Sequence, residues 1–235
     1  MNYQELFDAL QSYSENNFPA FDLSDGSQDT TTEQINRFIR QAEQRIYNTV
    51  QFPSLRKNVT GSATSGNKYL ACPGDFLAVY SMAVITDVTS GNLNSGTYEY
   101  LLNKDVNYIR QAYPTPNDTG VPKYYALFGR QLNDANELSF ILGPTPNANY
   151  DVELHYFYYP ESIVTAGTSW LGDNFDTVLL YGALVEAYTY MKGEQDVMAF
   201  YEARYKEALA MAKRLGDGME RQDAYRSGQY RQQVT

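Results

Sequence analysis

The sequence predicts an α+β protein: an antiparallel helical bundle built from both chain ends, a β-rich region inserted between its second and third long helices, and an extended C-terminal tail. Three observations predict it. Apolar residues recur at helical spacing near both ends of the chain. The middle replaces that period with short runs rich in β-formers, separated by turn chemistry. The last twenty residues lose any apolar pattern. The divisions fall at 1–58, 59–162, 163–215 and 216–235.

The first helix is expected over 3–13, with Leu6, Leu10 and Tyr13 on one face, and a polar loop over 14–30. Thr30 and Glu33 then form a capping box, each side chain satisfying a free N–H at a helix start. Ile35, Phe38, Ile39, Ala42, Ile46 and Val50 follow at helical spacing until Pro53 ends the run. Beyond Val59, TGSATSGNKYL reads as a Gly-rich turn between short strands, and FLAVYSMAVI (76–85) as a strand. NKDVNYIRQAYP (103–114) fits a short helix stopped by Pro114. KYYALFG, ELSFILG and YDVELHYFYYP fit three strands joined at QLNDAN and PTPNAN. In the last of these, Val152, Leu154, Tyr156 and Tyr158 alternate with Glu153, His155 and Phe157.

From Leu171 the helical pattern returns, with Asp173 as N-cap, apolar residues nearly all round from Phe175 to Met191, and Gly193 as C-cap. A helix this apolar belongs at the centre of a bundle. The next helix, about 194–215, places Met198, Tyr201, Tyr205, Ala208, Ala212 and Leu215 along one stripe, with Glu202 and Lys206 outward. In the final segment Arg221, Arg226 and Arg231 recur every five residues, beside Tyr225 and Tyr230. Such a segment has no core of its own and is either disordered or ordered by a partner.

Composition excludes several functions. A net charge of −10 argues against a protein that grips nucleic-acid phosphates through a basic patch, but allows a wall that DNA slides past. The acidity is uneven: Glu5, Asp8, Glu15, Asp22, Asp25, Asp29 and Glu33 occupy 1–36 with no Lys or Arg. Cys72 is the single cysteine, so an intrachain disulfide and a thiolate metal cage are both out of reach. The N-terminus carries no signal-peptide pattern, and the longest apolar stretch, near Val178–Val185, falls well short of the roughly 20 residues of a membrane span. A reducing cytosol, or a particle assembled there, is the expected setting. Tyrosine outnumbers phenylalanine 22 to 11, which suits surfaces that become interfaces.

No catalytic constellation emerges. His155, the single histidine, lies inside a strand pattern beside aromatics and reads as structural. No phosphate-binding loop or dinucleotide fingerprint is present, DLSDGSQD lacks the spacing of a calcium loop, and no carboxylate pair is singled out by spacing. No cofactor or metal is expected. Cys72, in CPGDF, has no base in sequence reach and reads as a small buried residue. The unusual residue is Glu186, in the middle of the apolar helix. With Gly182, Thr189 and Gly193 it forms a narrow small-and-polar stripe. Unpaired burial would be expensive. Either Glu186 pairs with an Arg or Tyr of its own bundle, with Arg37, Arg40 and Arg45 as candidates, or it faces a neighbouring subunit.

Six blocks carry a resemblance: FIRQAEQRIYNTVQFPSLRK (38–57), CPGDFLAVYS (72–81), TGVPKYYALFG (119–129), GPTPNANYDVELHYFYYPES (143–162), TSWLGDNFDTVLLYGALVEAYTYMKGEQD (168–196) and DAYRSGQYR (223–231). In this order they resemble the head-to-tail adaptors of short-tailed phages, also called connectors or tail tubular protein A. Cys72 departs from the pattern, which has a larger aliphatic residue, and the first thirty residues carry no block. The resemblance implies a structural virion protein, assembled in the host bacterial cytoplasm, that forms a ring of twelve copies between portal and tail nozzle, with DNA passing through. It implies that the tail docks on the portal, with Arg221, Arg226 and Arg231 pairing carboxylates and Tyr225 and Tyr230 as anchors. Competing readings are another neck or tail-completion protein and a carbohydrate-binding module using the exposed aromatics of KYYALFG and ELHYFYYP.

Overall fold

The structure is a computed structural model. It describes residues 1–50, 52–89, 91–115, 117–129 and 138–233; of Pro53 and residues 216–233 only the backbone is described. The protein is α+β and divides into two compact units, Met1–Leu55 with Tyr159–Thr235, and Arg56–Tyr158.

The first unit opens with α1 (Tyr3–Ser14), capped by a box between Asn2 and Glu5, with Leu6 and Leu10 buried. The expected polar loop over 14–30 contains a small hairpin, β1 (Phe21–Asp22) against β2 (Gln28–Asp29), which turns at Gly26 with φ +84°. It also buries Phe18, edge-on to Phe38 at 5.4 Å. One large ring anchors the segment although its neighbours are polar. In α2 (Thr31–Thr49), Thr30 accepts from the Glu33 N–H and the Glu33 carboxylate accepts from the Thr30 N–H, as the sequence predicts. Ile35, Phe38, Ile39, Ala42 and Ile46 form its buried face.

The second unit holds two four-stranded sheets. Its elements are β3 (Arg56–Ala63), β4 (Tyr69–Ala71), β5 (Phe76–Thr86), β6 (Thr97–Tyr100), β7 (Leu102–Asn103), α3 (Val106–Ala112), β8 (Thr119–Gly120), β9 (Tyr124–Phe128), β10 (Ser139–Gly143), β11 (Thr145–Pro146) and β12 (Tyr150–Tyr158). One sheet runs β3-β12-β5-β6 and the other β4-β10-β9-β7; β8 and β11 pair separately. The alternation read in β12 is realised, since Val152, Leu154 and Tyr156 are buried while Glu153, His155 and Phe157 are half-buried on the other face. Side chains from both sheets share one core, including Met82, Val84, Leu154 and Tyr156 from the first and Tyr125, Phe140 and Leu142 from the second. Helix α3 packs Ile109 against Ala126 and Ile141 of the second sheet. The QLNDAN turn lies outside the described residues.

The chain then returns to the first unit through α4 (Ile163–Ala166), α5 (Trp170–Asn174), α6 (Asp176–Met191) and α7 (Gln195–Gln233). Helix α6 packs against α1, α2, α5 and α7, which explains why it is apolar nearly all round. Four expectations are corrected here. Asp173 is not the N-cap of α6: it lies in the first turn of α5, which Ser169 caps. The left-handed residue ending α6 is Lys192 at φ 54°; Gly193 is required for space, because a Cβ there would lie 2.6 Å from the Tyr188 ring. The segment from 216 is not extended, since α7 continues through Gln233. No proline interrupts it, and its Glu, Arg, Gln and Ala residues are good helix formers. A helix already nucleated can propagate through them without a new nucleus. Leu215, expected in the buried stripe, is 41 % exposed.

Candidate functional site

Three places in the two units gather the residues that matter. The first is the crossing of α2, α6 and α7. A Cβ on Gly182 would lie 3.2 Å from the Tyr205 ring and 3.3 Å from the Ala42 Cβ, so glycine sets how closely these helices approach. One turn on, Glu186 Oε1 is 3.0 Å from Arg45 Nη2, and the Arg45 guanidinium stands 5.5 Å from the centre of the Tyr205 ring. Glu186 is much the more sheltered of the two, with 19 % of its side chain exposed against 44 % for Arg45. Burial raises the Tyr205 hydroxyl above the usual phenol value; the Arg45 charge opposes this and the Glu186 charge adds to it. Thr189 turns inward on its own helix, donating to the Val185 carbonyl at 2.7 Å. Gly182 and Glu186 thus meet other helices of their own chain, while Thr189 is exposed.

Of the other two candidate arginines, Arg37 makes a two-pronged bond with Asp29, at 3.0 and 3.1 Å, tying α2 to the β1–β2 hairpin. Arg40 lines, with Arg37, Glu33, Gln44 and Leu23, a groove of about 510 Å³ along α2. Sequence reasoning passed over Glu43. Only 3 % exposed, it accepts from the Ile163 N–H at 2.9 Å and so holds α4 on α2. Burial pushes its carboxyl above the usual range, against the bonds from Ile163 and Ser162 and the charge of Arg40. The signal was available: Glu43 sits inside the buried stripe of Ile39, Ala42, Ile46 and Tyr47.

The second place is the hairpin tip. DLSDGSQD forms a turn in which Asp25 accepts from the N–H and hydroxyl of Ser27, at 3.0 and 2.6 Å. Phe21 and Leu23 are 43 % and 39 % exposed beside Asp22 and Asp25. Among the described residues no ion pair holds either aspartate.

The third lies around α3. Lys68, Lys104, Arg110 and Lys123 are all exposed there. Backbone bonds bring the lysines to one sheet: Leu142 N–H to the Lys68 carbonyl, Lys123 N–H to Gly143, and Lys104 N–H to Tyr125, at 2.8 to 2.9 Å. The Lys104 ammonium stands 5.3 Å from the Tyr108 ring centre, and the Arg110 guanidinium 5.8 Å from that of Phe128. Among the described residues no ion pair holds any of the four cations. The nearby acids are engaged locally, Asp105 capping Asn107 at 2.7 Å and Asp118 accepting from Thr115 at 3.0 Å. This patch was not read from the sequence, because its members come from separate segments.

His155 Nδ1 is 3.4 Å from the Ser81 hydroxyl on the outer face of its sheet, and Cys72 is buried in the shared core. Among the described residues no three His, Cys, Asp or Glu side chains group as metal ligands would, and no helix is long and apolar enough to cross a membrane. The side chains of Arg221, Tyr225, Arg226, Tyr230 and Arg231 lie outside the described residues, on a backbone that is helical.

No curated protein matches the chain. The family model of the SU10 adaptor protein matches residues 1–232, which includes the first thirty residues. The chain therefore belongs to the SU10 adaptor protein family, a family of phage structural adaptors.

Proposed function

We propose that this adaptor forms a ring of twelve copies at the head–tail junction of a short-tailed phage. The ring joins the portal to the tail nozzle and lines the channel through which DNA passes. Twelve copies and the two partners follow from the resemblance of the six sequence blocks. Family membership over residues 1–232 supports the adaptor role.

The observation that carries the docking part is α7. Its 39 residues amount to about 58 Å of helix, while α6, its packing partner, has 16 residues and about 24 Å. The arm runs far beyond the helix it packs on, and its sequence from 216 has no apolar stripe of its own to bury, so it is free to dock on a partner. The portal is that partner, with Arg221, Arg226 and Arg231 pairing its carboxylates and Tyr225 and Tyr230 as anchors. The acidity of the chain suits a channel wall that repels DNA rather than gripping it. The carbohydrate-binding reading is weaker, because cations already stand over Phe128, Phe157 and Tyr158, aromatics of the two segments on which a sugar would stack.

Electron microscopy of the protein mixed with its portal tests this, with each imaged alone and with a chain lacking residues 217–235. The expected result is a ring coaxial with the portal that the truncated chain, still folded, fails to form. Full binding by the truncated chain would remove the arm from docking; an unattached wild-type monomer would overturn the adaptor geometry altogether.

A further inference from the structure

We infer that the basic, aromatic patch around α3 is a subunit interface, and that its occupant is the β1–β2 hairpin of a second copy of this chain. The inference rests on the ring reading and names the surfaces that would close the ring.

Three observations carry it. The patch concentrates Lys68, Lys104, Arg110 and Lys123 without ion-pair partners among the described residues, in a chain whose net charge is −10. Its surround is apolar as well as cationic, with Leu102 61 % exposed and Phe128 46 %. Phosphates would satisfy the cations and leave those apolar side chains in water, whereas a protein surface covers both; aromatic residues and Arg are enriched in such interfaces, and lysines suit their polar rim. The hairpin is its complement in both respects. It pairs exposed Phe21 and Leu23 with Asp22 and Asp25, within a stretch, 1–36, that has seven carboxylates and no Lys or Arg.

The two surfaces differ, so the contact is heterologous: each copy offers its patch to one neighbour and its hairpin to another. Contacts of this kind close into rings when the rotation permits. The pairing would also withdraw the chain's basic patch from a channel whose wall is otherwise acidic.

Charge exchange in the full-length chain tests this. One variant carries Lys104→Glu, Arg110→Glu and Lys123→Glu; the other carries Asp22→Lys and Asp25→Lys. All five positions are exposed, and circular dichroism checks that each variant is folded. Assembly is read by mass photometry and electron microscopy, alone and on the portal. Each variant by itself should lose assembly through like-charge repulsion. Their mixture should recover it, because each interface then opposes Lys to Asp or Glu. Rings from either variant alone, or a mixture that stays monomeric while the wild type assembles, would sink the inference and leave the ring reading standing. A wild type that never assembles would remove both. Binding of a labelled DNA duplex by the wild type, lost in the Lys104/Arg110/Lys123 variant, would reassign the patch to nucleic acid.

Discussion

The helical unit and the β unit solve the same packing problem with opposite materials. Where α2, α6 and α7 cross, a small residue sets the approach: Gly182 stands against Ala42 and the Tyr205 ring, and Ala183, Ala187, Ala208 and Ala212 are buried along α6 and α7. In the β unit the core is ring against ring, with Phe140 edge-on to Phe76 at 5.4 Å and to Tyr125 at 5.9 Å, and Tyr156 5.9 Å from Phe76. A crossing built from small residues fails by overfilling. A core built from large rings fails by emptying.

The largest expected effect tests the second half of that contrast. Phe140 is fully buried, and Phe140→Ala removes the ring at the centre of the aromatic cluster. It should cost about 3–5 kcal/mol, measured by denaturant unfolding. Trp170, the single tryptophan, packs on Phe52 and Phe175 in the helical unit and so reports on that unit alone. The expected outcome is a near-ultraviolet tyrosine signal that splits, the part from the β unit moving to lower denaturant, while the Trp170 fluorescence midpoint holds. Coincident shifts would mean that the units unfold as one, and the contrast would then be one of composition only.

A smaller effect tests the first half. Gly182→Val adds an isopropyl group where even its Cβ would lie 3.2–3.3 Å from its neighbours, and should destabilise the helical unit by about 1–3 kcal/mol. Here the Trp170 midpoint should move. A neutral or stabilising Gly182→Val would mean that the helices can separate at low cost, and Gly182 would then serve something outside the chain.

The same contrast explains what could be read in advance. Helix α2 was legible because Thr30, Glu33 and a regular apolar stripe state its start, its face and its period in consecutive residues. Strand β12 was legible because its alternation is local. The hairpin at 21–29, the short helix α5 and the continuation of α7 were not, since each depends on a contact or a propagating ladder rather than on a periodic pattern. The sites divide in the same way. Glu186 stood out as a carboxylate in an apolar helix, yet the choice among Arg37, Arg40 and Arg45 is made by the helix crossing, which brings Arg45 to 3.0 Å. The basic patch depends on sheet pairing that joins Lys68, Lys104 and Lys123. Glu43 was hidden because a single polar residue inside a buried stripe looks like a break in the pattern rather than a contact.

Glu43 gives the smallest expected effect and the one with a definite sign. Its carboxyl is raised by burial in the folded chain. Below the ordinary glutamate value of about 4.3 both folded and unfolded chains hold the proton, and Glu43 takes nothing from stability. As pH rises past that value the unfolded chain releases the proton first, so stability falls until the raised folded value is passed and then levels. Glu43→Gln keeps an oxygen to accept from the Ile163 N–H and removes the titration. The variant and the wild type should therefore be close in stability near pH 4, with the variant the more stable at pH 7, in paired denaturant titrations where the other carboxylates cancel. A variant less stable at pH 7 would show that the bonds from Ile163 and Ser162 and the charge of Arg40 together outweigh burial. The helical unit would then draw on electrostatics at this contact as well as on small-residue packing.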